Sequence, residues 1–407
     1  MERIEADVLI PGRTTRIFSL GGTGRIGRPV AQRLVRSSLV SEVAIAGRDR
    51  LLAERVAAEL GPKGRAVEVD ATDEKQLASL VSGYDLIVNT AGPDFRVALP
   101  VLRAAIAARV NSCDLAADGA SISAMLALDG KAKDAGLTAV TGIGHIPGMS
   151  NLMMQHALNR VEAAEDVRLV AWWDLSREKA NLFGDPDEMR RTGRINASWQ
   201  TVLAWTVAPV RTFRDGQIVE VDPFDELTQV ALPKNAGTVS AIPIGSTEPI
   251  TIPRSNPEVR SVSILMALYP PQLRGLLQDQ ARRIARGESD AATATLAFLE
   301  TIQSDPDRWL TNPTPISLNF GIMATATGKR RGRTVRYSCW PAGPWESTAG
   351  ALTEAAFRIL RGEVRSRGVF APEAAFDPLP FLEAAARYGS KGAVPTPLLE
   401  ESEQVVR

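Results

Sequence analysis

Cysteine and histidine are both scarce, with only two of each in 407 residues. Cys113 and Cys339 are too few for a disulfide framework and suit a reducing compartment. So few thiols and imidazoles also argue against a dedicated zinc centre, and no metal is expected. Charge of either sign is missing in excess. Lys and Arg total 47 and Asp and Glu total 47, so no net field draws the chain to nucleic acid or to an anionic membrane. No apolar run reaches the roughly 20 residues that cross a bilayer. The opening MERIEADVLI places acids where a secretory leader would carry bases, so a cytoplasmic location is expected. What is present is ordinary for a globular protein: 44% hydrophobic and 23% charged residues, in a chain long enough for two cores.

The most informative stretch is Thr15–Gly27, TRIFSLGGTGRIG. A short apolar run (Ile17, Phe18, Leu20) enters a glycine turn, and Ile26, Val30, Leu34 and Val35 then recur at helical spacing. Gly22-Thr23-Gly24-Arg25-Ile26-Gly27 fits GxGxxG in the strand–turn–helix setting that gives this pattern its meaning. Gly22 is expected to allow the tight turn, Gly24 the close approach of a pyrophosphate, and Gly27 the packing of helix on strand. The unpaired N–H groups of the helix start would then face the phosphates.

Strands are expected at 15–20, 42–46, 65–69, 85–89, 109–113 and 137–141, with helices at 25–37, 49–60, 73–82, 95–108 and 119–135. This alternation predicts an α/β fold, a doubly wound parallel sheet, over residues 1–150. Residues 151–345 change character: a helix at 152–162, strands at 166–173, 239–244, 249–253 and 260–267, helices at 271–286 and 290–303, and a hairpin of 316–326 with 333–340. That order predicts an α+β domain on a mostly antiparallel sheet. The basic cluster Lys329–Arg333 falls at the hairpin turn and reads as solvated. Residues 346–407 add a helix beginning near Ser347, a short one at 379–388, and a polar end expected to fray.

The end of the second strand decides the cofactor. An NAD site places an acid there for the ribose 2′-OH, about 20 residues past the fingerprint, whereas an NADP site uses a cation for the 2′-phosphate. Gly47-Arg48-Asp49-Arg50 offers no acid at the strand end, and the flat fork of Arg48 suits a phosphate, so NADP(H) is expected. Asp70 and Ala71 end the third strand; Asp70 either borders the adenine or caps the helix near 73. Asn89, Thr90, Ala91, Gly92 and Pro93 end the fourth strand and should line the nicotinamide side, since ligands of open α/β sheets sit at the carboxyl strand ends. Asp114 follows the fifth strand and His145 the sixth. A carboxylate and an imidazole there are candidates for proton transfer, or else a helix cap or ion-pair member and a structural histidine. His156 sits within a helix.

Candidates in the second domain are less specific. Trp172, Trp173, Trp199, Trp205 and Phe183 can wall a pocket or simply fill a core. Arg254 can clamp a carboxylate, and Lys179 can serve as acid or charge partner. Chemistry of the short-chain alcohol dehydrogenase type needs Tyr with Lys four residues on, and none of Tyr84, Tyr269, Tyr337 or Tyr388 has it.

Taken together, the fingerprint, VEVDATD, DLIVNTAGP, ARVNSCDLA, GIGHIPGMSN and the late ESTAGALTEAAF and GVFAPEAAFDPLPFLEAAARYG make the chain resemble saccharopine dehydrogenase-like oxidoreductases, including carboxynorspermidine dehydrogenase relatives. The resemblance implies an NADP-binding Rossmann domain, an inserted α+β domain, a homodimer, and reduction of a carbon–nitrogen double bond on an amino-acid or amine-derived small molecule. Asp114 matches the family's Asp after the fifth strand. Phe95 stands nearest the family's tyrosine after the fourth strand and, with Trp173 and Arg254, is expected to touch substrate. Ile143–Gly148 (IGHIPG) replaces the family's Cys-Gly-Leu-Asp-Pro-Gly, which argues against saccharopine itself as substrate. Reduction of a C=C bond on the same scaffold, and NADP binding without catalysis, are the competing expectations.

Overall fold

The computed structural model describes residues 15–177, 185–311, 320–343, 348–364, 366–389 and 394–406. The expectations for the N-terminal arm, Lys179, Phe183, the Ser347 cap and the first residues of the hairpin lie outside them. The chain divides into two compact units, Met1–Met149 with Trp345–Val394, and Ser150–Pro344 with Pro395–Arg407.

The first unit holds strands β1 (Thr15–Leu20), β2 (Val40–Gly47), β3 (Gly64–Glu68), β4 (Leu86–Asn89), β5 (Asn111–Asp114) and β6 (Thr138–Val140), joined late in the chain by β15 (Gly368–Phe370). Every pairing is parallel, in the order β15-β6-β5-β4-β1-β2-β3. This is the doubly wound arrangement, and its strand order reverses between β1 and β4, where a ligand crevice opens. Helices α1 (Gly27–Leu34), α2 (Arg50–Glu59), α3 (Glu74–Val81), α4 (Asp94–Ala108), α5 (Gly119–Leu126) and α6 (Asp129–Ala135) follow the strands. The single helix expected over 119–135 is therefore two. Asp49, Asp73 and Asp118 cap α2, α3 and α5, accepting the N–H of Leu52 (3.0 Å), Gln76 (2.9 Å) and Ser121 (2.7 Å). Each such cap contributes about 1 kcal/mol. Phe18, Leu20 and Ile87 pack with Leu77, Val81, Val97 and Val101 on one face of the sheet.

The second unit is built on nine strands: β7 (Glu162–Asp174), β8 (Val210–Arg214), β9 (Gln217–Val221), β10 (Thr228–Ala231), β11 (Thr238–Pro243), β12 (Ser261–Tyr269), β13 (Phe320–Arg330), β14 (Arg333–Pro341) and β16 (Leu399–Val405). The order is β10-β11-β12-β7-β13-β14-β16, with β8 pairing β12 and β9. Only β7 and β12 run parallel; the other pairings are antiparallel. The basic cluster turns β13 into β14 through Arg331 (φ 49°) and Gly332 (φ 75°), the two positive φ values that a tight hairpin needs.

Three expectations for this unit are corrected. Residues 249–253 are not a strand but the middle of the helix Glu248–Ser255. Ile250 and Ile252 alternate as a strand would, yet Pro249 lies in the first turn, where its fixed φ favours a helix. The Thr247 carbonyl accepts the N–H of Ile250 (2.9 Å) and Thr251 (3.1 Å). β8, β9 and β10 and the helices Pro186–Thr192 and Ala197–Ala204 have no counterpart in the sequence reading. Finally, the end of the chain does not fray: β16 pairs with β14 from Leu399 to Val405.

Candidate cofactor and active site

The glycine turn between β1 and α1 is closed by hydrogen bonds of Gly22 N–H to Ser19 O (3.2 Å) and Gly24 N–H to Gly21 O (2.9 Å). The residue in the left-handed region is Gly21 (φ 74°), so the tight turn expected of Gly22 belongs to its neighbour. A Cβ on Gly21 would lie 2.5 Å from the Ala91 nitrogen, and one on Gly27 would lie 2.3 Å from Gly21 O and 2.4 Å from Thr90 Oγ1. Gly27 thus brings α1 against the ends of β1 and β4. A Cβ on Gly24 would approach only Gly21 O, at 3.2 Å. Gly24 and Arg25 are exposed, with Thr23 and Ile26 half-buried beside them, and no side chain caps α1. The space a Gly24 side chain would take stays open in front of uncapped N–H groups, which is the cradle a diphosphate fits.

Arg48 stands exposed just after β2, and among the described residues it makes no ion pair, whereas Arg50 is held by Glu54 at 2.9 Å. Asp70 does not cap α3, since Asp73 does. Its Oδ1 instead accepts the N–H (2.9 Å) and hydroxyl (2.7 Å) of Thr72. Those bonds, with the charges of Arg48 and Arg96, hold its carboxyl below the usual range. Ala71 is buried in the core below.

On the other side of the crevice, Thr90 binds Leu20 O through its N–H (2.8 Å) and hydroxyl (3.0 Å), and the buried Asn89 accepts the Ala91 N–H at 3.0 Å. Gly92 is exposed and Pro93 precedes α4, on whose first turn Phe95 projects, 50% exposed. Asp94, the first residue of α4, was not anticipated. Its Oδ2 accepts the N–H of Ala117 (2.6 Å) and Asp118 (2.9 Å), tying the turn after β4 to the loop after β5. An acid following Gly-Pro at a helix start was the available signal.

Asp114 is 5% exposed, and its Oδ1 takes three hydrogen bonds, from Ala116 N–H (2.8 Å), Thr141 Oγ1 (2.9 Å) and Gly142 N–H (3.1 Å). Burial raises its pKa to about 6, against the lowering effect of those donors. His145 lies in the same post-β6 loop, which Gly144 and Gly148 pinch shut: Gly144 N–H reaches Pro147 O at 2.8 Å. The His145 ring is half-buried with its Nε2 shielded from solvent, and burial pushes its pKa down to about 4. It is a neutral imidazole at physiological pH, able to hydrogen-bond but not to store a proton.

In the second unit Trp173 stacks on Trp199 (5.5 Å between centroids, 15°) and meets Phe320 edge-on at 5.8 Å, while Trp172 points into the opposite layer with Val239 and Leu265. Trp205 is buried. Arg254 is exposed in the last turn of Glu248–Ser255, where a cation complements the helix dipole. His156 faces Glu401 rather than any strand end of the first unit.

The reversed strand order, the glycine cradle and the lone cation after β2 define an NADP-binding protein of an oxidoreductase family. Residues 17–140 are a saccharopine dehydrogenase NADP binding domain, so the chain belongs with the saccharopine dehydrogenase-like proteins and its cofactor is NADP(H). The fold agrees. Apo saccharopine dehydrogenase (L-Glu forming) from Saccharomyces cerevisiae aligns over 96% of this chain and 100% of its own, at 15% identity and a TM-score of 0.62. An amine dehydrogenase from Mycobacterium smegmatis aligns over 89% of this chain and 95% of its own at 12% identity; with a TM-score of 0.42 that likeness carries no argument. Among the described residues no helix is long and apolar enough to cross a membrane.

Proposed function

We propose that this protein is a cytoplasmic, homodimeric NADP(H)-dependent reductase that delivers hydride to an imine or carbonyl carbon of an amino-acid- or amine-derived small molecule. Bound NADPH supplies the hydride. The turn from Gly21 to Gly27 holds the diphosphate, Arg48 the 2′-phosphate, and Asp70 with Ala71 the adenine side. Residues 89–93 border the nicotinamide, and Asp94 keeps that turn in register with the loop after β5. Phe95, Trp173 and Arg254 are the side chains proposed to meet the substrate, Arg254 through a carboxylate.

The observation that carries the reading is Asp114. A carboxyl with a pKa of about 6 at the carboxyl end of β5 can hold or release the proton that must accompany hydride transfer to a C=N bond. His145, neutral, can donate a hydrogen bond to the same substrate. One observation favours a C=C bond instead: Asp94 and Asp114 spend their hydrogen bonds on backbone N–H groups and Thr141, while the exposed group at this edge is the apolar Phe95.

NADPH absorbance followed with paired amines and 2-oxo acids, and separately with enones, tests both. Consumption with an amine and oxo acid together, but with neither alone, supports imine reduction. Consumption with enones only overturns it, and none with either panel returns the protein to a binding role.

A further inference from the structure

β1 carries a polar side chain that nothing so far uses. Its alternation puts Phe18 and Leu20 in the core that Val97 and Val101 share, so Ile17 and Ser19 face the other side of the sheet. Ser19 is 0% exposed, and among the described residues its Oγ has no hydrogen-bond partner. An idle buried hydroxyl costs on the order of 1–3 kcal/mol, and alanine would fill the position without that cost. Its place is specific. A Cβ built on Gly22 would lie 2.8 Å from Ser19 Oγ, 2.9 Å from Ser19 O and 3.0 Å from Ile45 Cδ1. The hydroxyl therefore lies directly beneath the glycine turn, at the step between β1 and the uncapped start of α1.

We propose that Ser19 is a further cofactor-binding residue, whose buried hydroxyl binds the diphosphate of NADP(H) through one water molecule lodged under the glycine turn. The hydroxyl is too deep for a phosphate oxygen to reach past the backbone of Gly22. A single water, which typically needs two to four polar partners, gains this hydroxyl below and the diphosphate above. Glycine at position 22 keeps that space, since any side chain there would collide with Ser19. The inference rests on the diphosphate lying over this turn and deepens that assignment, because it gives β1 itself a part in binding.

The diphosphate is common to both dinucleotides, so the signature differs from that of Arg48. In calorimetry, Ser19→Ala is expected to weaken NADPH and NADH alike, by about five- to ten-fold, the worth of one buried hydrogen bond. The cofactor-free variant should melt at the same temperature as the parent or higher, having lost an unpaired hydroxyl. Ser19→Cys, with a weaker donor of similar size, should fall between the two and covers the case in which alanine fails to fold. A higher melting temperature with unchanged affinities would overturn the proposal, as would a loss confined to NADPH. If the parent protein itself ignores both dinucleotides, the cofactor assignment fails, and that result is distinct from a Ser19 variant that binds as the parent does.

Discussion

Glu401 Oε1, near the end of the chain, lies 3.0 Å from His156 Nε2 and 3.0 Å from a guanidinium nitrogen of Arg160. The pairing fastens β16 onto the helix Met149–Leu158 and the residues just past it. The flanking acids are matched as well, Glu400 by Lys234 at 2.7 Å and by Trp340 Nε1, and Glu403 by Arg330. Burial pushes the Glu401 carboxyl up, but the Tyr337 hydroxyl, His156 and Arg160 together hold it below the ordinary glutamate range.

Removal of residues 399–407 should therefore unsettle the second unit rather than trim a loose end. It uncovers the β14 edge from Val335 to Pro341 and strands the buried His156. A fall in melting temperature of several degrees is expected, read by calorimetry, with Glu401→Ala giving a smaller fall of about 1–2 kcal/mol. The Glu401 contribution is present above the unfolded glutamate pKa and fades as pH drops below it.

Asp114 gives the opposite pH dependence. Its carboxyl titrates near 4 unfolded and at about 6 in the fold, so between those values the native state binds more protons than the unfolded one. Stability should decline as pH rises from 4 to 6, with a cost of about 3 kcal/mol fully in place above 6. Asp114→Asn keeps an oxygen for Thr141, Gly142 and Ala116 and should flatten that decline in urea titrations across the range. If Asp114 also handles the proton in turnover, the limb of the rate profile near pH 6 vanishes in this variant and survives in His145→Ala, because His145 is already neutral there.

The fingerprint glycines should separate by cause. Gly27→Ala drives a methyl into Gly21 O and Thr90 Oγ1, so both folding and NADPH binding should suffer, with several degrees lost on heating. Gly24→Ala meets only one atom of the turn and should melt close to the parent, yet lose NADPH affinity by more than ten-fold. Equal behaviour of the two variants would contradict the cradle.

Arg48→Ala should cost about ten- to a hundred-fold in NADPH affinity while NADH changes little, since the side chain is exposed and unpaired in the fold. Calorimetry with the two dinucleotides side by side measures the ratio.

The first unit was legible because its rules are local. Alternating apolar runs and amphipathic helices name a parallel sheet; GxGxxG after a strand names a turn, and Arg48 at a strand end names a phosphate. Even so, only backbone geometry moved the positive φ from Gly22 to Gly21, and only packing showed Asp73 rather than Asp70 as the cap of α3.

What the amino-acid order determined by itself was the fold class, the dinucleotide turn and the choice of NADP(H), all set by spacings within about 20 residues. Tertiary structure alone decided the rest. Pro249 and a buried face turned the alternating Ile250–Ile252 into a helix, and an acid-rich tail became a strand because Lys234, Arg160 and Arg330 await it from distant parts of the chain. Burial made Asp114 a weak acid and His145 a neutral ring. Proton affinity depends on what surrounds a side chain in space, and no local pattern of residues carries that information.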